Sequence, residues 1–263
     1  MRLIRYLFRK KKEDDGIRFI RLDETESTNR YGLDHLDEAM SDENPHPRMV
    51  VVSTDYQTAG RGQGDNSWES ERGQNLLFSI FCHPVWIPVR MQFVLSKCIA
   101  LAIRDTLNAL TEHITIKWPN DIYYKDLKIC GILIENRISA GRLKDCVIGV
   151  GLNVNQREFQ SDAPNPVSLC QILGHEVDRD QLLNEIVKRF DELLKASQSG
   201  NYSGIAAAYA SCLYRSHGFH PYKDKEGNFE AAIVEVEDDG CLILRDRSGM
   251  IREYRFKEVE HVI

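Results

Sequence analysis

A glycine-rich segment with one arginine, Gln57–Trp68, has residue types that suit ligand binding. Gly60, Gly62 and Gly64 permit close backbone approach, and successive backbone amides can form a concavity that binds anions. Arg61 adds a planar guanidinium that suits a phosphate or a carboxylate. The spacing matches neither the phosphate loop GxxxxGK[ST] nor a dinucleotide fingerprint. The segment therefore predicts either a lid over an anionic ligand or an ordinary flexible hairpin loop.

Two lysine-containing segments follow, Lys117–Asp121 and Lys128–Glu135. Lys128 begins an apolar strand, and a buried lysine is costly unless it has a partner. Gly131 leaves room on that strand for a ligand or another backbone to approach. The alternative is a lysine that points into water. Cys130 shares the strand face of Lys128, which allows an acyl-transfer pair, although a buried structural thiol is the preferred interpretation.

A third segment, Gly149–Asn155, combines small residues with amide side chains. It can present donors and acceptors to a heterocycle, or it can be a strand that ends in a turn. The eight histidines show no HxxxH or HExxH spacing, which argues against zinc. No GxSxG nucleophile motif occurs.

The elements that must position these segments are predicted from periodicity. Alternation and β-branched content predict strands at Ile17–Leu22, Met49–Asp55, Leu76–Phe81, Ile114–Ile116, Asp121–Tyr124, Lys128–Glu135 and Cys146–Val150. Helical spacing predicts helices from Ser27 through Leu36, over Met91–Leu110, across Leu182–Leu194 and over Ile205–Leu213.

Short strands separated by turn residues fill the chain after about residue 215, which predicts a small β-barrel. We therefore expect an α+β fold with a basic arm at 1–16, a larger α+β domain at 17–214 and a β module at 215–263. The length of 263 residues suits one large domain with a small appendage.

The charge and cysteine content limit the classes of partner. The net charge of -6 argues against nucleic acid as the main partner, although residues 1–12 are basic. The chain contains no apolar run of membrane-spanning length. Seven scattered cysteines without a CxxC pair favour reduced thiols and a cytoplasmic location.

The order of the motifs resembles that of biotin–protein ligases. Thr25–Asn29, Gln57–Gly62, Lys117–Asp121, Lys128–Glu135 and Gly149–Asn155 carry the likeness, which runs from about residue 17 to the C-terminus. The resemblance implies a mixed-sheet catalytic domain that binds biotin and ATP at 17–214. The last 50 or so residues resemble the SH3-like β-barrel domain of that family. Larger bacterial members add an N-terminal DNA-binding domain. The short arm here implies a form without that domain.

The resemblance implies a two-step reaction. The carboxylate of biotin attacks the α-phosphate of ATP to give biotinyl-5′-AMP, and a lysine of a biotin carboxyl carrier protein then attacks this anhydride. ATP and Mg²⁺ are the implied cofactors, and a homodimer is allowed. Joining two anions requires cationic groups and a divalent ion.

The resemblance also implies roles for individual residues. Arg61 and Lys128 are the expected catalytic residues. The expected biotin contacts are Ser27, Thr28, Asn29, Gln57, Gly60, Arg61, Gly62, Gln63, Lys128, Gly131 and Ile132. The expected ATP contacts are Arg61, Trp68, Lys117, Asn120, Asp121 and Asn153, with Asp121 also as the metal ligand. Gln63 departs from the arginine that much of the family has at this position, which predicts weaker retention of the adenylate.

Two other functions stay open. A lipoate or octanoyl ligase or transferase shares the catalytic fold, but it needs an apolar tunnel rather than the polar triplet Ser27-Thr28-Asn29. A non-catalytic biotin-binding sensor would not need Arg61 and Lys128.

Overall fold

The computed structural model describes residues 16–41, 47–64, 66–160 and 165–263, so the predicted basic arm lies outside the described residues except for Gly16. The strands are β1 Ile17–Leu22, β2 Met49–Thr54, β3 Leu76–Cys82, β4 Ile114–Lys117, β5 Asp121–Tyr124, β6 Leu127–Ser139, β7 Arg142–Leu152, β8 His220–Asp224, β9 Gly227–Val236, β10 Leu242–Asp246, β11 Ile251–Tyr254 and β12 Val259–His261. The helices are α1 Thr28–Ser41, α2 Phe93–Asn108, α3 Leu169–Leu173, α4 Arg179–Gln198 and α5 Tyr202–Ser211, with a 3-10 turn at Val89–Met91. The α+β class predicted from the sequence is confirmed.

The described residues form two compact units that interleave along the chain. The first contains the described residues up to Trp86 together with Ile129–Leu183, and the second contains Ile87–Lys128 and Asn184–Ile263. The division falls inside β6, between Lys128 and Ile129, and inside α4. The predicted domain boundary between residues 214 and 215 stays a prediction.

The first unit is built on a mixed sheet, as the sequence predicts. Its strands lie in the order β1-β2-β3-β7-β6. β1 pairs with β2 in parallel, while β2–β3, β3–β7 and β7–β6 are antiparallel. The parallel pair requires a crossover, and α1 supplies it.

Helix α1 packs on the sheet of the first unit, against β2, β3 and β7. Every residue of β3 is buried. A cluster around Phe81 and Val147, with Ile20 and Val52, forms part of this core, and Tyr31 of α1 packs against it. The N-terminus of α1 is thereby fixed over the sheet, where the polar triplet predicted to bind a ligand begins.

The hairpin of β6 and β7 is longer than the predicted strands Lys128–Glu135 and Cys146–Val150. The ladder continues to Ser139 opposite Arg142. The turn residues Ala140 and Gly141 both have positive φ, 48° and 73°, as a tight two-residue hairpin turn requires. The last three residues of β6 are exposed, whereas the hydrogen-bonded ladder continues through them to the turn.

The second unit combines α2 with a short hairpin and a five-stranded sheet. β4 and β5 pair antiparallel, and α2 packs against both and against α5. α2 begins two residues after the predicted start at Met91, because a 3-10 turn precedes it, and it ends two residues before the predicted end at Leu110. α5, in contrast, begins at Tyr202, ahead of the predicted start at Ile205.

The C-terminal strands form an antiparallel sheet in the order β11-β10-β9-β8-β12. The pattern of short strands predicts a small β-barrel here, and the family resemblance implies an SH3-like one. Within residues 215–263, all of which are described, no ladder joins β11 to β12, so the hydrogen-bonded sheet is open. Short strands of three to five residues dominate it, and this pattern alone does not determine closure.

All seven cysteines lie within the described residues and are free thiols, six of them buried. Cys130 is fully buried, which supports the structural interpretation of this thiol. Among the described residues, none of the helices has the length and apolar character needed to cross a bilayer.

Candidate active site

The N-terminus of α1 carries a buried polar cluster. Ser27 and Thr28 are 5% and 3% exposed. The side-chain oxygen of Gln57 accepts the backbone N–H of Thr28 at 2.8 Å and lies 3.2 Å from the Thr28 hydroxyl. Gln57 therefore caps the helix from a neighbouring segment. The structure brings together three of the residues expected to contact biotin, Ser27, Thr28 and Gln57.

Asn29 has a different environment from its two neighbours. Its Oδ1 lies 2.6 Å from the Ser79 hydroxyl, and its Nδ2 donates to Oε2 of Glu135 at 2.8 Å. A Cβ on Gly149 would meet Asn29 Oδ1 at 2.3 Å. Glycine at 149 is therefore what allows the Asn29 carboxamide to lie against β7. Both ends of this carboxamide are occupied by protein groups, so its expected contact with biotin stays a prediction.

The glycine-rich loop forms an ordered hairpin-like turn rather than an open lid. Trp68 N–H donates to the carbonyl of Gly60 at 3.0 Å, and Gly62 N–H donates to that of Asn66 at 2.7 Å. A Cβ on Gly60 would meet the Trp68 carbonyl oxygen at 2.7 Å. The glycine is needed here for close approach of two backbones. Gln63 is half-buried at the turn, and Asp65 lies outside the described residues.

Arg61 extends from this loop toward β6. Its Nη1 lies 3.8 Å from Oε1 of Glu135, and the arginine side chain is 56% exposed. This separation exceeds hydrogen-bond length, so the ion pair is weak. The guanidinium therefore keeps donors available for an anionic ligand.

Trp68 lies against β7 at a second glycine. A Cβ on Gly151 would meet the indole Cε2 at 2.4 Å. Gly131 of β6 is directly opposite Gly151, and the buried Ile132 is opposite Val150. The indole ring therefore occupies the space over Gly151 that a side chain would otherwise fill.

Asn153, just after β7, has an unusual buried acceptor. The residue is 3% exposed, and its Nδ2 donates to the carbonyl of Val167 at 3.2 Å. Its Oδ1 is buried without a hydrogen-bond partner among the described residues. Buried polar atoms are almost always paired. The oxygen therefore suits a ligand N–H group, such as the amino group of adenine.

The second unit holds the remaining charged residues. Lys128 Nζ lies 2.8 Å from Oδ1 of Asp121, and the two side chains are 29% and 15% exposed. Burial lowers the pKa of Lys117, with an opposing contribution from Asp121. Trp118 is buried and donates its indole N–H to the carbonyl of Gly240 at 2.9 Å. The segment Lys117–Asp121 is thus anchored by its tryptophan and presents one lysine and one carboxylate, and Lys128 of β6 pairs with that carboxylate.

A metal held by protein groups alone does not fit the described residues. They contain no group of three His, Cys, Asp or Glu side chains suited to a metal ion. Mg²⁺ keeps several waters and commonly takes one carboxylate plus substrate phosphates. Asp121 offers one carboxylate beside Lys128, so a magnesium ion carried by a nucleotide fits this donor set.

Three residues of the site received no role from the sequence. Ser79 is the one hydroxyl in the apolar strand Leu76–Cys82 and is fully buried, a signal that a buried partner exists. Glu135 is a charged residue at the end of the apolar run Ile129–Ile134, and it gives the same kind of signal. Gln156 accepts from Asn75 at 2.6 Å and from the Glu71 backbone at 3.0 Å, which connects the segment after Trp68 to the segment after Asn153. The residues around Gln156 are mostly polar, so the sequence gives no sign that Gln156 is buried.

The chain is similar in sequence to known proteins over the region that contains most of the residues described above. The family model of the Biotin/lipoate A/B protein ligase family matches residues 22–153. The chain is 29% identical over 217 residues to the bifunctional ligase/repressor BirA of Bacillus spizizenii, covering 80% of this chain and 66% of that relative. It is 31% identical over 240 residues to the protein of that name from Salmonella typhimurium, covering 89% and 71%. The chain thus spans about two thirds of the length of these curated relatives.

A solved structure with a similar fold is the biotin protein ligase from Aquifex aeolicus in complex with biotin and ATP. The TM-score is 0.72 at 25% identity, and the match covers 93% of this chain and 99% of that chain.

Proposed function

The chain belongs to the biotin/lipoate A/B protein ligase family, and from that premise we propose that it is an ATP-dependent biotin–protein ligase. The acceptor is a lysine of a biotin carboxyl carrier domain, and the enzyme acts in the cytoplasm, where its seven free cysteines stay reduced.

The buried polar cluster at the start of α1 carries this assignment. Ser27 and Thr28 are almost fully buried, and Gln57 lies against them. Thr28 has polar protein partners in this interior, the side chains of Gln57 and Ser79, so hydroxyl and amide groups that can also bond a polar ligand are retained at a buried position. The ureido ring of biotin provides a carbonyl acceptor and two N–H donors. An aliphatic acyl chain or a dithiolane ring provides none of these, so the cluster favours biotin over lipoate or octanoate.

In the first step the biotin carboxylate oxygen attacks the α-phosphate of ATP, the P–O bond to the β-phosphate breaks, and pyrophosphate leaves. Arg61 and Lys128 supply the positive charge that offsets the repulsion between two anions and stabilises the charge developing at phosphorus. The loop that carries Arg61 also contains Gly60, Gly62 and Gln63. Strand β6, which carries Lys128, also contains Gly131 and Ile132.

Trp68 stacks on the adenine ring in this proposal, and the Asn153 acceptor receives a hydrogen bond from the adenine amino group. Lys117 and Asn120 lie near the phosphates. Magnesium, held by Asp121 and the nucleotide, screens phosphate charge when it is bound.

In the second step the neutral amine of the acceptor lysine attacks the carbonyl carbon of the mixed anhydride. The C–O bond to AMP breaks, AMP leaves with the electron pair, and the amine loses a proton as the amide forms. Lys128 stabilises the negative charge that develops on the carbonyl oxygen. The order of the steps requires that water be kept from the anhydride until the acceptor arrives.

The test is incubation of the full chain with ATP, Mg²⁺, labelled biotin and a carrier domain. We expect covalent label on the carrier, and none on a carrier whose acceptor lysine is replaced by arginine. Biotin-dependent exchange between ATP and pyrophosphate isolates the first step, and lipoate in place of biotin tests the closest alternative. Exchange with lipoate but not biotin would contradict the assignment.

Lys128→Ala separates a ligase from a non-catalytic biotin sensor. The ligase loses most of its exchange activity, whereas transfer that is unchanged in Lys128→Ala would contradict the proposed role of this lysine. Glu230→Gln is a matched control, because Glu230 forms only an exposed ion pair with Arg247 in the C-terminal sheet.

A further inference from the structure

The Glu135 carboxylate lies between a buried amide and the exposed arginine of the candidate site. Its Oε2 accepts from Asn29 Nδ2 at 2.8 Å, and its Oε1 lies 3.8 Å from Arg61 Nη1. Asn29 is 3% exposed, whereas the Arg61 side chain is 56% exposed. One side of the carboxylate is therefore fixed by the protein interior, and the other faces a side chain with much conformational freedom.

Asn29 is itself fixed from the opposite side. Ser79 Oγ lies 2.6 Å from Asn29 Oδ1 and 2.6 Å from Thr28 Oγ1. Asn29 Oδ1 can only accept, so it takes the single Ser79 proton, while the Thr28 hydroxyl lies within hydrogen-bond distance of both Ser79 Oγ and Gln57 Oε1. The chain Thr28–Ser79–Asn29–Glu135 is then a continuous row of hydrogen bonds. It runs from the start of α1 to the partner of Arg61.

An arginine side chain that is half-exposed loses rotamer entropy when it is fixed in one geometry. A partner that already limits its positions lowers this cost at the moment of reaction. At 3.8 Å the pair lacks a full hydrogen bond, so a substrate carboxylate or phosphate can engage the same guanidinium without breaking one. Glu135 thus suits the task of directing Arg61 rather than that of sequestering it.

We propose that Glu135 is a positioning residue that orients Arg61 for adenylate formation, and that Asn29 acts through Glu135 rather than on the biotin ring. This inference rests on the proposed ligase function. It assigns to Asn29 a place behind the reacting groups, whereas the resemblance to biotin–protein ligases implies a direct contact with the ureido ring. The two roles predict different kinetic parameters.

The test measures biotin-dependent ATP–pyrophosphate exchange in Glu135→Ala, Glu135→Gln and Asn29→Ala. We expect kcat to fall by about 100-fold in Glu135→Ala, since a misplacement of about 1 Å can have that effect. KM for biotin should stay within about twofold, because Ser27, Thr28 and Gln57 still hold the ring. Glu135→Gln keeps an oxygen for Asn29 but loses the charge that faces Arg61, and should lower kcat by about tenfold.

The double variant N29A/E135A tests whether Asn29 acts through Glu135. If it does, the double variant has the kcat of Glu135→Ala alone, whereas independent residues give a product of the two losses. A higher KM for biotin with unchanged kcat in Asn29→Ala would overturn the inference. Glu230→Gln serves as the charge-matched control and should match the wild type in both parameters.

A second readout does not depend on activity. Arginine side-chain ¹⁵N–¹H spectra of the full chain, with the Arg61 signal assigned from its loss in Arg61→Lys, should change at that signal in Glu135→Gln and in Asn29→Ala. Glu135→Gln is nearly isosteric, so this variant keeps the test valid if Asn29→Ala fails to fold. An unmoved Arg61 signal overturns the inference. Absence of biotin-dependent exchange in the wild type, with the Arg61 signal moving as expected, contradicts the proposed function instead.

Discussion

Replacing Gly151 by alanine should weaken ATP binding without affecting biotin. An alanine Cβ would lie 2.4, 2.6 and 2.8 Å from three atoms of the Trp68 indole. Ordinary contact requires 3.4 Å or more, so the ring must move by about 1 Å or tilt away from β7. Stacking of a base on an aromatic side chain contributes about 1–3 kcal/mol. A loss of about 1–2 kcal/mol of this contribution raises KM for ATP by about 5- to 30-fold.

The assay is ATP–pyrophosphate exchange at saturating biotin, with KM for ATP measured in Gly151→Ala, Trp68→Ala and the double variant. If the alanine acts only through the indole, the double variant should resemble Trp68→Ala alone. KM for biotin, and the melting temperature, report whether the change stays local. An unchanged KM for ATP in a folded Gly151→Ala protein would refute the stacking role of Trp68.

Three further outcomes are expected. Gln63→Arg should slow the escape of biotinyl-AMP measured by stopped-flow or filter assays, because it restores a cation beside the anionic intermediate; equal dissociation rates would count against this. Asn153→Leu should raise KM for ATP by about tenfold with KM for biotin unchanged, since it removes the buried acceptor offered to adenine; a change in both constants would point to general damage. Burial, assisted by the Lys117 charge, lowers the pKa of His261 from 6.5 to about 3. The unfolded chain binds this proton near pH 6.5 and the folded chain does not, so this contribution to stability is complete above pH 6.5 and declines as the pH falls toward 3. His261→Phe should therefore lose less stability than the wild type between pH 6.5 and 4 in urea denaturation, and equal losses would contradict the assignment.

Most strands and helices could be predicted from the sequence, because the patterns that indicate them lie within a few neighbouring residues. The strands at Ile17–Leu22 and Asp121–Tyr124 begin and end as predicted, since alternation and turn residues bound them directly. The short helix Leu169–Leu173 was not predicted, because five residues cannot show a helical period. Its capping box, formed by Ser168 and Gln171, and the left-handed Gly174 were present in the sequence.

The candidate site was less completely predictable, because its contacts join distant segments. The resemblance grouped Ser27, Thr28 and Gln57 by motif, and the structure places them together. The bond from Asn29 to Glu135 spans 106 positions, and no local pattern distinguishes an amide that faces a ligand from one that faces a carboxylate. The segment Gly149–Asn155 is predicted from the sequence either to present donors and acceptors to a heterocycle or to be a strand that ends in a turn. Neither prediction includes the role that the structure gives Gly149, which is to make room for Asn29.

The spacing of Gly149 and Gly151 connects two parts of the proposed site for adenylate formation. Residues two apart on a strand lie on the same face, about 6.6–6.8 Å apart. Gly149 accommodates Asn29, which leads to Glu135 and Arg61, and Gly151 accommodates Trp68. One face of β7 thus sets the separation between the group that directs the arginine and the ring proposed to hold adenine. It follows that Gly149→Ala should lower kcat with little change in KM for ATP, whereas Gly151→Ala should do the reverse. If both variants changed the same parameter, β7 would be a common support and not a spacer between two subsites.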